Sequence, residues 1–239
     1  MNALALMRML TALALAAAAM LLVAAAAVWF SQRPWFEFRR IEIRGDVRHI
    51  SQASVRDAVA GHLAGNYFTM RLAEARRAFE ALPWVAAVSV RRIWPNRLSV
   101  TLVEHRALGQ WDDGRLVSDL GVLFVANPAE AEVEGPLVGF SGPPRYAAQA
   151  VRHFHEFGAA LAPLQISIAR IRVSDRASWS LDGTPPLRIE LGRDDPPGRL
   201  QERLDSIAAA LPMVVARLDG PPARIDARYS NGFAAARTP

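Results

Sequence analysis

The run from Met9 to Phe30 carries no charged residue and is built almost entirely of Leu, Ala, Val and Met. At about 1.5 Å of rise per residue, a helix of this length crosses a hydrocarbon core of about 30 Å. Trp29, Phe30, Trp35 and Phe36 form the aromatic belt expected where a helix leaves the membrane. A cleaved signal peptide is the competing reading, with Arg8 as its basic region and Ala24 to Ala27 as small residues for cleavage. Signal-peptide apolar regions usually cover about 7 to 15 residues, however, and this one is longer. The chain therefore divides into a short tail over 1–8, a transmembrane helix over 9–30 and a body beyond. Only Arg8 precedes the span, whereas Arg33, Arg39 and Arg40 follow it, so the count of basic residues alone points the body inward. Large domains translocate largely regardless of such charge, and a basic tail upstream of Met1 would restore the usual bias. The N-terminus is placed in the cytoplasm and the body outside it.

The 239-residue chain leaves enough beyond the span for two small domains with proper cores. With 51% hydrophobic and 21% charged residues, the composition excludes both wholesale disorder and a polytopic membrane protein. Cysteine is absent, which rules out disulfides and thiolate chemistry. Every basic side chain apart from histidine is Arg, which reads as a GC-rich genome. A net charge of +5 invites a nucleic-acid reading, but acids and bases alternate throughout, and the excess is too mild to hold a duplex.

The first domain is expected over 36–105. Ile41 and Ile43 alternate with Glu42 and Arg44 ahead of Gly45-Asp46, giving a short half-buried strand. A helix follows from an N-cap at Ser51, with Val55, Ala58, Val59 and Leu63 on one face. A second helix runs through Leu72, Ala75, Phe79 and Leu82 until Pro83 stops it. Two strands, Val85–Trp94 and Leu98–His105, then join through Pro95-Asn96. The order is β-α-α-β-β, and Trp84 and Trp94 are expected to pack in the core or on the hairpin.

That order resembles a POTRA domain, and its detail resembles the FtsQ/DivIB family of cell-division proteins. The resemblance is carried by Phe38-Arg39-Arg40-Ile41-Glu42-Ile43-Arg44-Gly45, by Leu82-Pro83-Trp84-Val85 and by Val90-Arg91-Arg92-Ile93-Trp94-Pro95-Asn96-Arg97-Leu98. It thins between Val125 and Gln165, then returns in Leu191-Gly192-Arg193 and in Ile225-Asp226-Ala227-Arg228-Tyr229-Ser230-Asn231-Gly232.

The remainder, 106–239, is expected to be a second α+β domain built on an antiparallel sheet. Gln110–Val117 reads as two short strands around an Asp-Gly turn, Val122–Val125 as another, and Gly135–Pro144 as a loop. Tyr146–Leu161 has helical spacing, and strands are expected at Ile166–Val173, Ser178–Leu181 and Leu187–Leu191. A helix through Leu200, Leu204 and Ile207 precedes a final strand, Arg224–Ser230.

No catalytic pattern emerges. His153 and His155 lie two apart on a helix and point apart, while His49, His62 and His105 have no nearby carboxylate or thiol arrangement. Gly139-Phe140-Ser141-Gly142 falls short of a nucleophile elbow, and Asp112-Asp113 and Asp194-Asp195 read as turn and loop chemistry. No phosphate-binding glycine loop occurs. The reading is a non-enzyme with no cofactor, no metal and no small-molecule substrate. A periplasmic cell-wall enzyme or a secreted binding module with a cleaved signal peptide are the alternatives; an outer-membrane barrel would need more chain.

Without chemistry, the useful surface is an unpaired sheet edge, where a partner strand gains backbone hydrogen bonds. The resemblance implies an inner-membrane, single-pass protein at the division septum whose C-terminal strand captures FtsB, itself paired with FtsL. It further implies that Tyr229 packs against the incoming segment, that Arg228 and Arg176 pair with its acids, and that Ser230 and Gly232 belong to the same contact. Where family members carry a Trp after this strand, Arg237 stands here, and Phe233 is the substitute apolar anchor.

Overall fold

The computed structural model describes residues 3–45, 47–51, 53, 55, 57, 66–229 and 231–237. It falls into two units, Met1–Glu104 and His105–Pro239.

The first unit opens with α1, Ala3–Ser31. Within it, Met7–Ser31 is long and apolar enough to cross a membrane and none of that stretch is buried, which fits a single-pass membrane protein. A single 3-10 turn, Pro34–Phe36, leads to β1 (Arg40–Arg44). Next come α2 (Leu72–Glu80), β2 (Val85–Ile93) and β3 (Arg97–Glu104). The helix expected from Ser51 lies for the most part outside the described residues, as does His62.

The last strand, β3, occupies the middle of a three-stranded sheet, parallel to β1 and antiparallel to β2. Its period-2 alternation sends Leu98, Val100 and Leu102 into a core with Val55, Met70, Phe79 and Val88. Helix α2 contributes Ala75 and Phe79, both fully buried four residues apart on one face. At the edge, Ile41 and Ile43 keep more than a third of their surface exposed, so β1 is less covered than its alternation predicts.

Two expectations for this unit change. Trp84 is buried and stacks on His49 at 3.9 Å, whereas Trp94, in the turn between β2 and β3, is 68% exposed and lies outside the core. His49 does have a carboxylate, Glu104, with Nδ1 3.2 Å from Oε2. Glu104 also accepts the backbone N–H groups of Arg48, His49 and Ile50 at 3.0 to 3.1 Å. The pairing was invisible in sequence because 55 residues separate the partners. It fixes a loop, and no group of acids and histidines among the described residues is able to hold a metal.

The second unit is a nine-stranded sheet in the order β12-β11-β10-β9-β8-β7-β4-β5-β6. Its first strands are β4 (Ala107–Trp111), β5 (Leu116–Ser118) and β6 (Leu123–Phe124). A short helix α3 (Pro128–Glu132), capped by the Asn127 side chain on the Ala129 N–H, leads to β7 (Val138–Ser141). After α4 (Ala147–Leu161) come β8 (Ser167–Val173), β9 (Ser178–Thr184) and β10 (Leu187–Arg193). Helix α5 (Arg199–Leu218), β11 (Arg224–Asp226) and β12 (Ala234–Ala236) complete it.

The α+β organisation is as expected, but the sheet is mixed where an antiparallel one was expected. The pairs β4/β7, β7/β8 and β10/β11 are parallel. Each parallel pair is joined by a connection that contains a helix, α3, α4 and α5 in turn, because a strand returning in the same direction needs a crossover. Gly139-Phe140-Ser141, expected in a loop, belongs to β7 between β4 and β8. Helix α4 buries Val151, Phe157 and Leu161, and α5 buries Leu200, Leu204, Ile207 and Leu211. These meet Trp111, Phe140, Trp179, Leu181, Ile189 and Ile225 from the sheet in one core. His153 is buried there, stacked on Phe157 and bonded through Nδ1 to Glu156, while His155 is exposed.

Candidate partner-binding edge

The expected final strand, Arg224–Ser230, is shorter than predicted, and it is not the sheet edge. β11 ends at Asp226 and is covered on both sides, parallel to β10 and antiparallel to β12. The ladder stops because Asp226 turns its carboxylate onto the next residues. Oδ1 accepts the Arg228 backbone N–H at 3.1 Å, and the guanidinium closes on the same carboxylate through Nε at 2.9 Å and Nη2 at 2.6 Å. The chain reverses through Asn231-Gly232, with Gly232 at φ +156°, and returns as β12. Ala235 packs inward toward Ile225 while Ala234 and Ala236 are exposed, and the outer side of β12 has no strand neighbour among the described residues.

Register brings the other positions to one end of the sheet. The Ala227 N–H donates to the Glu190 carbonyl at 2.8 Å, so the end of β11 lies beside the end of β10. There Gly192 and Arg193 pair with Trp179 and Ser178 at the start of β9. Arg176 sits just before that start, in the tight turn from Ser174 to Ala177, exposed and without an ion pair among the described residues. Gly192 has a positive φ of +82°, and a Cβ there would lie 3.1 Å from the Arg203 guanidinium and 3.2 Å from Arg228 Cγ. A bare backbone at Gly192 thus lets Arg228 lie flat while Arg203 donates to the Leu191 carbonyl at 2.6 Å.

Tyr229 is 61% exposed and rims a cleft of about 320 Å³. Arg199, Glu202 and Arg203 of α5 form one wall, and Ala227 and Asn231–Phe233 the other. Phe233 is partly buried against the domain's own core, so it has less apolar surface to offer than a free anchor. Arg237 donates to the Leu218 carbonyl at 3.2 Å, a basic group on the last turn of α5. Ser230 lies outside the described residues.

Electrostatically, the bidentate contact from Arg228 holds the Asp226 carboxyl below its ordinary value of 3.8 and pushes the Arg228 guanidinium up. A lowered folded-state pKa stabilises above the unfolded value, and the benefit disappears as pH falls through the folded value. The pair therefore persists through neutral and mildly acidic conditions and opens only below about pH 3.8. Carboxyl NMR titration should place the Asp226 midpoint below 3.8, and Arg228→Ala should return it toward that value; a midpoint unmoved by the substitution would contradict the pairing.

Comparison with known proteins agrees with this architecture on both sides of the unit boundary. The family model for the FtsQ-type POTRA domain matches residues 36–105, and that for the C-terminal region of cell division protein FtsQ/DivIB matches 109–228. The chain belongs to the FtsQ/DivIB family. It is 42% identical over 215 residues to the cell division protein FtsQ of Burkholderia pseudomallei, covering 90% of this chain and 85% of that one. Over 241 residues it is 36% identical to FtsQ of Bordetella pertussis, covering 94% and 88%. FtsQ of Nitrosospira multiformis is 34% identical over 215 residues, covering 88% and 87%.

In this FtsQ/DivIB chain the structure gathers Arg228, Tyr229, Gly232 and Phe233 around one turn and sets Arg176 at the same end of the sheet. Sequence reasoning missed β12, because Ala234-Ala235-Ala236 has neither the branching nor the alternation that marks a strand. It also missed Asp226 as the partner of Arg228, although a carboxylate two residues from an arginine on a strand end was the available signal.

Proposed function

We propose that this protein is a non-catalytic division scaffold that docks FtsB, paired with FtsL, by adding a strand along the outer edge of β12. In this reading α1 anchors the chain once in the inner membrane, the N-terminus is cytoplasmic and the body works in the periplasm at the septum. One observation carries the proposal: β12 is the terminal strand of a nine-stranded sheet and its outer side has no strand neighbour among the described residues. An added strand satisfies those backbone groups at once, and side chains beside it set register.

Tyr229 supplies an exposed ring at the rim of the α5 cleft, between β11 and β12 in the chain. Two N–H groups of Arg228 are engaged by Asp226, and the rest remain for an incoming carboxylate. Arg176 supplies a second positive group at the same end. The small side chains of β12 suit this role, since alanines let a partner's side chains pass close to the backbone.

Hydrogen exchange of the full chain in nanodiscs tests the reading directly. Adding the FtsB–FtsL pair is expected to slow exchange at Ala234–Ala236 relative to β6, the opposite edge of the same sheet. Equal exchange with and without the partner at β12 would rule out strand addition there.

A further inference from the structure

The end of α1 is tied to the first domain through the Asn66 side chain. Asn66 donates its Nδ2 N–H to the Ser31 carbonyl at 2.6 Å, one of the helix-terminal carbonyls left without an intrahelical donor. The same side chain accepts the backbone N–H groups of Phe68 and Thr69 at 3.0 and 3.1 Å. On the other side of this knot the Tyr67 N–H donates to the Phe36 carbonyl at 2.8 Å.

Aromatic rings continue the connection. Phe36 is buried, and it meets Phe30 edge-on at 5.3 Å and Phe68 at 5.0 Å. Its neighbours stay open: Phe68 is 50% exposed and Trp35 is 77% exposed. Arg33 lies over the Trp29 ring at 3.4 Å. The depth of this cluster is set by α1, whose apolar stretch ends at Ser31 and so brings the headgroup layer to Ser31. Phe68 is only two ring contacts from Phe30, which places it at the level where amphipathic and aromatic side chains collect and where arginines meet anionic lipid.

We propose that the Asn66–Met70 loop of the POTRA domain is seated in the headgroup layer of the same bilayer that α1 spans, with Phe68 inserted beside Trp35 and Phe30. The domain is then held at two points, its linker and this loop, and Asn66 sets the spacing between them. A single eight-residue linker would leave the domain free to swing; the second contact fixes which of its faces looks away from the membrane. The proposal rests on α1 remaining as a bilayer span, and retention of the full chain in carbonate-washed vesicles reports on that separately.

The native chain has no cysteine, so single labelling sites are available. Full-length Phe68→Cys carrying an environment-sensitive fluorophore is reconstituted in phosphatidylcholine–phosphatidylglycerol vesicles with and without headgroup-level nitroxide lipid. Val103→Cys, at the far end of β3 from its Arg97 start, serves as the aqueous reference. Quenching at 68 is expected to exceed that at 103 severalfold. Arg71→Cys, which removes no packed ring, is a second site in the same loop region and is expected to follow 68. Quenching at 68 and 71 no greater than at 103 overturns the proposal. So does a label at 68 that is shielded from water yet unquenched by nitroxide lipid, since a protein surface would then cover it.

Discussion

Tyr229→Ala is expected to weaken capture of the FtsB segment by about 2 kcal/mol or more, roughly 30-fold in Kd. The ring is 61% exposed at the rim of the α5 cleft and belongs to no core cluster, so its removal leaves the free protein intact. Interface anchors owe their large truncation costs to rings that become desolvated only on binding, and an exposed tyrosine at the rim of a cleft meets that condition. Calorimetric titration of the full chain in nanodiscs with the FtsB–FtsL pair checks the loss, and an unchanged melting transition in the same variant separates it from misfolding. A Kd within about twofold of the parent would remove Tyr229 from the contact.

Trp179→Ala acts on the scaffold behind that edge and is expected to destabilise the C-terminal unit by about 3–5 kcal/mol. The indole is 1% exposed, with His153 edge-on at 4.7 Å and Tyr146 at 6.0 Å. It sits at the start of β9 opposite Gly192, where Arg228 lies against the backbone. A cavity there has no neighbour free to fill it, because α4 is pinned by Ala150, Val151 and Phe157 along the same core. Because typical domains are stable by only about 5–15 kcal/mol, the change is a large fraction of the total. Urea unfolding followed by far-ultraviolet circular dichroism reads the shift. A loss under about 1 kcal/mol would mean that His153 and Tyr146 close over the hole.

Much of the fold was readable because strongly patterned segments behave locally. Leu98, Val100 and Leu102 alternate into the core as written, and Leu200, Leu204 and Ile207 form the helical stripe expected of them. What escaped depended on distant partners or on weak composition. β7 hid in a glycine- and proline-flanked stretch, and only its position between β4 and β8 makes Val138–Ser141 a strand. β12 hid in alanines for the same reason, which displaced the expected edge from β11 to a strand outside it. The proposed contact residues came from a family pattern alone, whereas the Asp226 clamp and the partly buried state of Phe233 required coordinates.

The position of β3 has a consequence for biogenesis. It is the final strand of the first unit and yet the middle one in space, so β1 and β2 have no neighbour to pair with until it arrives. Glu104, its last residue, carries the carboxylate that gathers the amides of Arg48, His49 and Ile50. A nascent chain emerging N-terminus first therefore completes this sheet only once β3 is out. Closure of this sheet is thereby tied to the arrival of its last segment, since the strand that joins the other two is the last to be made.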